Sequence, residues 1–214
     1  MTKAVPESAK LFTTVGLGKE KADAEFNRIW PDIEKQYDGG SPKLFKAFSR
    51  LVYGSFTGGF LADRTAKQHY HQLRYYFDFV MSDLKSMAVD GDLPGALVKV
   101  GDTPVESLPD GGPVMASTEI MIHAMDSPFI FENLLGYLNL SEFHVLSGIH
   151  PVMTVRRENG RIVDILPPEE DGPKEAAINF KIRKIVNPDT AKRLQTEIRS
   201  VLNALFLSVA DFET

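Results

Sequence analysis

The stretch VMTVRRENGRIVDIL, residues 152–166, decides the fold. Apolar and polar residues alternate on both sides of Asn159-Gly160, and this alternation is typical of half-buried β-strands. Asn-Gly between two such runs is the strongest short-range signal for a β-hairpin, because both residues tolerate the positive φ angles of a tight turn. The sequence therefore predicts two antiparallel strands joined at Asn159-Gly160.

Two further stretches extend this hairpin into a sheet. AINFKIRKIV, residues 177–186, and VMASTEIMIHAM, residues 114–125, both carry apolar side chains at alternate positions. The first run places Ile178, Phe180 and Ile182 on one face, with Lys181 and Arg183 on the other. The second places Ile120, Ile122 and Ala124 on one face, with Glu119, Met121 and His123 on the other. We expect an antiparallel meander of three or four strands.

The residues before this sheet have helical periodicity. The stretch 23–37 has an amphipathic stripe, and Pro31 inside it predicts a kink or a restart. Ser41-Pro42 has the form of a helix start. A third helix is predicted from about Leu61 to Ser86, and its apolar stripe explains most of the aromatic residues of this segment.

The last element is a long C-terminal helix. Asn187-Pro188 supplies an N-cap and a first-turn proline, and the apolar stripe predicts a helix to about Asp211. The stripe is wide, which favours a helix that covers the sheet, the N-terminal helices or a second subunit. The residues that widen it are Leu202, Phe206 and Phe212.

These elements predict an α+β fold, in which a helical N-terminal half packs on a small antiparallel β-meander that is closed by the long C-terminal helix. The helical half spans 1–89, a loop-rich connection rich in Gly, Pro and Asp spans 90–112, and the α+β half spans 113–214. A short strand near Ala96–Val100 is expected within the connection. We expect the two halves to form one compact unit.

Composition limits the function classes. The 214 residues are 43% hydrophobic and 25% charged, as in a soluble globular protein, and they include no cysteine. Disulfides, thiolate catalysis and cysteine-ligated metals are therefore excluded. The net charge of −5 disfavours nucleic-acid binding. No signal peptide or transmembrane stretch is visible, so a cytoplasmic location is expected.

Known catalytic motifs do not fit. Around Gly16 and Gly18, a phosphate-binding loop lacks its first glycine and the hydroxyl after Lys19. Ser147 has His150 three residues later, which is weak evidence for a hydrolase because a catalytic triad is defined by its three-dimensional geometry.

Histidine and aromatic residues supply the candidate sites. We expect a small-molecule pocket between the aromatic helix and the sheet, with haem as one candidate ligand. Its candidate residues are His69, Tyr70, Tyr76, His123 and His144. His69 and His71 lie about 200° apart around a helix and cannot share a metal. A metal site is the other candidate, formed by His123, His144 and His150 with Glu119, Asp126 or Glu142.

The main functional hypothesis from the sequence is a non-enzymatic binding or assembly protein that acts through protein–protein contacts as a homo-oligomer. The alternative is a small-molecule sensor or enzyme that uses the aromatic and histidine pocket. A third reading is nucleic-acid binding through a basic sheet face. Its candidate residues are Arg156, Arg157, Arg161, Lys181, Arg183 and Lys184.

Overall fold

The computed structural model describes residues 19–55, 65–82, 95–102, 116–141 and 143–212. Within these ranges it has five helices and six strands, and the predicted α+β class is confirmed. The helices are α1 Lys19–Glu34, α2 Pro42–Gly54, α3 Ala66–Val80, α4 Ile130–Leu140 and α5 Pro188–Phe212. The strands are β1 Ala96–Asp102, β2 Ser117–Met125, β3 Val145–Ile149, β4 Val152–Glu158, β5 Arg161–Leu166 and β6 Lys174–Arg183.

The sheet is antiparallel and larger than the expected meander. Its order is β1-β2-β6-β4-β5, and β3 pairs with β6 as well. β3 and β4 pair with opposite ends of β6, so they act as one strand that is interrupted at His150 and Pro151. β6 lies at the centre of the sheet. Because both of its faces are covered, every residue from 175 to 180 is buried.

Helices cover both faces of the sheet. On one face α1, α2 and α3 form a layer whose core includes Met121, Met153 and Ala177 from the strands. On the other face α4 and α5 form a second core with Ile120, Ile122 and Ile178. The alternation predicted for β2 is therefore confirmed, because its two sets of side chains enter different cores.

The hairpin forms where the sequence predicts it. Asn159 has φ 53° and Gly160 has φ 82°, as a two-residue turn with two positive φ angles requires. β4 and β5 pair on either side of this turn. The hairpin prediction is confirmed.

Two helix termini differ from their predicted form. α1 continues through Pro31 and ends at Glu34, since the proline lies in the last turn and removes only a late hydrogen bond. α4 begins at Ile130 and not at Pro128, because Phe129 takes the N-cap position with φ 62°. The sequence of this segment predicts a short helix over 128–140, with Pro128 at its first position and Asp126 or Ser127 as its cap. The predicted cap is wrong.

The C-terminal helix begins as predicted. The Asn187 side-chain oxygen accepts a hydrogen bond from the Asp189 N–H at 2.8 Å. Leu202 and Phe206 of its wide face are buried against the chain's own sheet. The side chain of Phe212 lies outside the described residues, as do Gly16, Gly18 and Glu142.

The expected short strand in the connection is present as β1, and it pairs along its whole length with β2. The division at 90–112 stays a prediction. None of the described helices is long and apolar enough to cross a membrane.

Candidate functional site

The sheet face below α1–α3 carries buried polar side chains at its centre. Met121 of β2 and Ala177 of β6 lie in the core of that layer. Because side chains alternate along a strand, Glu119, His123, Glu175 and Asn179 point to the same side. All four are at most 7% exposed. Buried polar groups on an otherwise apolar face require partners, and these partners define the site.

One group of partners is centred on Glu175. Its carboxylate lies 2.6 Å from His123 Nε2 and accepts two hydrogen bonds of 2.8 Å from Arg157. Arg157 also donates to the Gly160 carbonyl at 2.8 Å, which connects the group to the hairpin turn. This arrangement fixes the imidazole and holds the carboxylate in place.

The surroundings of Glu175 lower its pKa. Burial acts to raise the pKa, but the hydrogen bonds from His123 and Arg157 outweigh burial and bring the pKa to about 2. The carboxyl group is therefore ionised at neutral pH, and its charge is matched within the sheet.

A second group surrounds Glu119. The Tyr76 hydroxyl, from α3, lies 3.4 Å from Glu119 Oε1, and Lys181 Nζ lies 3.8 Å from the same oxygen. Gln72 donates to the Tyr76 hydroxyl at 2.9 Å. Glu119 and Lys181 are direct partners in the register of β2 and β6. This group ties α3 to the centre of the sheet.

A cleft lies on the same face, between the helical layer and the sheet. Its cavity volume is about 10 Å³, which is room for about one water molecule, and it is partly open to solvent. The side chains of Tyr76 and Asn179 contribute polar groups to a lining that is otherwise apolar. Within the described part of the chain, the Asn179 Nδ2 is buried without a hydrogen-bond partner. The cleft therefore offers one unused donor at an apolar surface.

The structure places Tyr76 and His123 on this face, but not the other predicted pocket residues. His69 is buried inside the helical layer, with its ring centroid 5.3 Å from that of Tyr53. The Tyr70 hydroxyl donates to Asp38 at 3.2 Å, and burial together with Asp38 raises its pKa. Neither residue lines the cleft.

The three histidines expected to share a metal are not brought together. His144 is exposed before β3. His150 stacks on Phe131 of α4, with ring centroids 5.4 Å apart, and burial lowers its pKa. His123 faces the opposite helical layer. Among the described residues, no three His, Asp or Glu side chains lie close enough to hold a metal ion.

The basic sheet face is largely neutralised. Arg156 lies 2.8 Å from Asp164, and Arg157 binds Glu175. Lys181 lies near Glu119, and Lys184 pairs with Asp102. These pairs leave little positive charge for a phosphate backbone.

Sequence reasoning missed Glu175 and Asn179 as site residues, and it assigned Arg157 to a basic sheet face. Alternation already places Glu119 and His123 on one face of β2. The signal that could have identified their partners was the presence of polar residues on a second buried strand. Their pairing depends on the β2–β6 register, which a single sequence does not specify.

Comparison with known proteins identifies a family. The family model of the ACT1 domain of glutamate dehydrogenase matches residues 48–198. The match runs from within α2 into α5, so it includes α3, α4 and all six described strands, with parts of α2 and α5, and it leaves out α1. Comparison with curated proteins and with solved structures found no match. Since the family model covers more than half of the sequence, the chain belongs to the family of the glutamate dehydrogenase ACT1 domain.

Proposed function

We propose that this chain is a non-catalytic regulatory domain that binds a small molecule. The observation that carries the proposal is the family match over residues 48–198. ACT-type domains are associated with small-molecule binding, and the family name points to glutamate dehydrogenase as the enzyme activity under control. The small-molecule alternative from the sequence thus becomes the first candidate.

The partly open mouth of the cleft beside Tyr76 and Asn179 is the proposed binding site, because the enclosed space takes only about one water molecule. Apolar walls with a few polar groups are the usual composition of a small-molecule site. Tyr76 remains from the predicted pocket as a lining residue, and His123 remains as a neighbour on the same sheet face. His69, Tyr70 and His144 have no role in this proposal.

The partners of the titratable groups support binding over proton transfer. His123 Nε2 is engaged by Glu175, and Glu175 is also held by Arg157. A general acid or base has to reach a substrate proton, at a hydrogen-bond distance of about 3 Å. Here His123 and Glu175 form their hydrogen bonds with other residues of the protein. This arrangement suits a rigid framework around a ligand.

Thermal unfolding with a ligand panel tests the proposal. The panel contains the amino acids, including glutamate, together with 2-oxoglutarate and small neutral amides. A ligand at a hundred times its Kd should raise the Tm by about 5–10 °C for a chain of this size. If no member of the panel raises the Tm, the proposed function is wrong.

A second candidate function is assembly through protein–protein contacts, as a homo-oligomer. The observation that favours it is an open sheet edge: among the described strands only β6 pairs with β3, and Leu146 on β3 is 38% exposed. The edge at β1 is protected, because its Val100 N–H donates to the Gln195 side chain of α5 at 3.2 Å. Pairing of two β3 edges would join two sheets.

Native mass spectrometry over a concentration series tests this candidate. We expect a dimer that Leu146→Lys dissociates, because lysine at an edge strand opposes pairing. Leu207→Lys, at a residue that is 54% exposed on α5, is the matched control and should leave the dimer intact. A monomer at every concentration would contradict assembly through this edge.

A further inference from the structure

We propose that Asn159 is a site of spontaneous deamidation, and that Arg157 slows the reaction by holding the hairpin turn closed. Both residues belong to the β4–β5 hairpin, and neither lines the cleft. The inference is therefore independent of the proposed function. Three features carry it: the residue that follows Asn159, the exposure of the turn and the hydrogen bond that restrains it.

The residue after Asn159 favours the reaction. Deamidation begins when the backbone nitrogen of the following residue attacks the side-chain amide, and glycine hinders this attack least because it has no Cβ. Of the seven asparagines in the chain, Asn159 alone precedes a glycine. Asn187 is the opposite case, because Pro188 has no N–H to supply the nucleophile.

The reaction needs only water. The Gly160 nitrogen forms a bond with Asn159 Cγ and loses its proton, while the bond from Cγ to Nδ2 breaks and ammonia leaves with that proton. A succinimide ring results. Water then adds to one of its two carbonyl carbons and breaks the bond from that carbon to nitrogen. Opening at Cγ gives aspartate, and opening at the main-chain carbon gives isoaspartate, whose backbone runs through Cγ.

The reacting groups are accessible. Asn159 is exposed at the tip of the hairpin. Among the described residues, none forms a hydrogen bond with its side-chain amide or with the Gly160 N–H. Asn133 differs in both respects: its Nδ2 donates to the Phe129 carbonyl at 2.9 Å, and the N–H that follows it lies inside α4. Hydrogen bonding therefore protects Asn133, and it leaves both reacting groups of Asn159 free.

The geometry of the turn opposes ring closure. Asn159 has φ 53° and Gly160 has φ 82°, which are the signs of a type I′ turn. The first central residue of such a turn has a ψ of about 30°, which directs the next nitrogen away from the side chain. To form the ring, the Gly160 nitrogen must rotate towards Asn159 Cγ. The turn has to open before the reaction, so the rate follows the population of the open turn.

Arg157 opposes that opening. Its Nη1 donates to the Gly160 carbonyl at 2.8 Å, while its Nε and Nη2 each donate to Glu175 at 2.8 Å. The Arg157 side chain is 19% exposed, and Glu175 lies on the central strand β6. The guanidinium thus joins the turn to a fixed point in the sheet. Loss of its hydrogen bond to Gly160 should raise the open population and the rate with it.

Isoaspartate should in turn release Arg157. It adds one backbone carbon to a turn whose ends are fixed by the pairing of Glu158 with Arg161. The Gly160 carbonyl then moves, and the modified residue carries a new carboxylate beside Glu158. We therefore expect the isoaspartyl form to unfold at a lower Tm than the parent chain.

Peptide mapping by mass spectrometry tests the inference. The full chain is incubated at mildly alkaline pH, once folded and once in guanidinium chloride, and the replacement of NH2 by OH is followed at each asparagine. In the folded chain we expect aspartate and isoaspartate to accumulate at Asn159 at least tenfold faster than at Asn133 or Asn187. In guanidinium chloride the rate at Asn159 should rise at least threefold, because no turn restrains it.

Variants of the hairpin test the role of Arg157. Arg157→Met removes the donor and should raise the rate at Asn159 in the folded chain at least threefold. Arg156→Met, at the neighbouring residue that binds Asp164, is the matched control and should leave the rate unchanged. Arg157→Met also removes the arginine that pairs with Glu175. Glu175→Gln is therefore compared with the double variant Glu175→Gln/Arg157→Met, which should react at least threefold faster, and circular dichroism checks that each variant is folded.

Two results would overturn the inference. A folded chain in which Asn159 reacts no faster than Asn133 and Asn187 would show that Asn159 is not a deamidation site of the native protein. Equal rates for Arg157→Met and Arg156→Met, or for Glu175→Gln and the double variant, would show that Arg157 does not hold the turn closed.

Discussion

Position 148 in β3 has room for a hydrogen atom and for little more. A Cβ at this glycine would lie 2.9 Å from Phe180 Cδ1 and 3.0 Å from Phe131 Cζ. We expect Gly148→Ala to lower the free energy of unfolding by about 1–3 kcal/mol, because both rings must move within a packed core. Urea unfolding measures the change.

Gly136, in α4, is the matched control. A Cβ there would meet nothing within 4 Å. Gly136→Ala should raise the free energy of unfolding by about 0.5–1 kcal/mol, since alanine restricts the unfolded chain and favours the helix. Equal effects of the two substitutions would contradict the described packing of β3 against Phe131 and Phe180.

Glu175 should make the stability depend on pH in the acid range. Its pKa is lowered from 4.5 to about 2 in the folded protein. The resulting contribution, about 3 kcal/mol, is fully present above the unfolded pKa and is lost as the pH falls through about 2. Glu175→Gln should therefore destabilise the protein at pH 7, and its difference from the parent should shrink between pH 4.5 and 2.

Urea unfolding at a series of pH values measures this difference. Glu158→Gln, at an exposed residue of β4, is the control and should follow the pH profile of the parent chain. A parent and a Glu175→Gln variant that differ by the same amount at every pH would rule out the proposed role of the ionised carboxylate.

Single residues show what sequence reasoning reaches and what it misses. Alternation placed His123 and Glu119 on one face of β2, and the two cores confirm this. Their partners, Glu175 and Lys181, come from β6, 52 and 62 residues further along the chain. Such contacts depend on sheet register, so a local pattern cannot predict them.

Among the elements, α3 depends on a capping box at its start. The Thr65 side chain accepts a hydrogen bond from the Gln68 N–H, and the Gln68 side chain accepts one from the Thr65 N–H at 2.9 Å. Thr65→Ala should lower the free energy of unfolding by about 1 kcal/mol, because two N–H groups lose their fixed acceptors. Chemical unfolding measures this loss.

Thr196→Ala, at an exposed residue of α5, is its matched control. The Thr196 hydroxyl donates to the Lys192 carbonyl inside the helix, a contact that adds little stability. The change should stay within about 0.5 kcal/mol. A Thr65→Ala variant as stable as Thr196→Ala would show that the cap contributes nothing.

Elements with strong local signals were predictable, and elements defined by context were not. The Asn159-Gly160 turn and the start of α5 follow from turn and capping preferences, and both are confirmed. The start of α4 was missed because Phe129 takes a left-handed conformation that few such residues adopt. The central place of β6 was missed because strand order is set by packing of the whole sheet.

For the whole molecule, the central prediction is that both layers unfold together. The three-helix core and the α4–α5 core share one sheet, because alternate residues of β2 and β6 enter each of them. Ile198→Ala in α5 should lower the free energy of unfolding by about 2–5 kcal/mol. The transition seen by Trp30 fluorescence, in the other layer, should shift by the same amount.

Far-UV circular dichroism on the same samples is the second probe for this prediction. Coincident transitions would confirm one compact unit that includes 1–89 and 113–214. A Trp30 transition that does not respond to Ile198→Ala would contradict it and would favour two independent halves.

For the whole molecule, the sequence predicts the fold class, but it does not predict which distant residues come together at the candidate site. Hydrophobic periodicity is local, so it identifies helices, strands and their apolar faces. The cleft requires that α2 and α3 cross the sheet beside Asn179, which depends on contacts between distant segments. This is why Tyr76 lines the cleft beside the sheet, whereas His69, about two turns earlier on the same helix, lies inside the helical layer.

Native mass spectrometry of the full chain, with each ligand of the panel in turn, tests the central claim most directly, because it counts bound molecules. The regulatory proposal predicts a complex with one small molecule for each chain. Asn179→Leu, at the cleft, should weaken this complex, and Asn139→Ala, at an exposed residue of α4, should preserve it. A chain that stays bare with every amino acid, 2-oxo acid and amide would contradict the account.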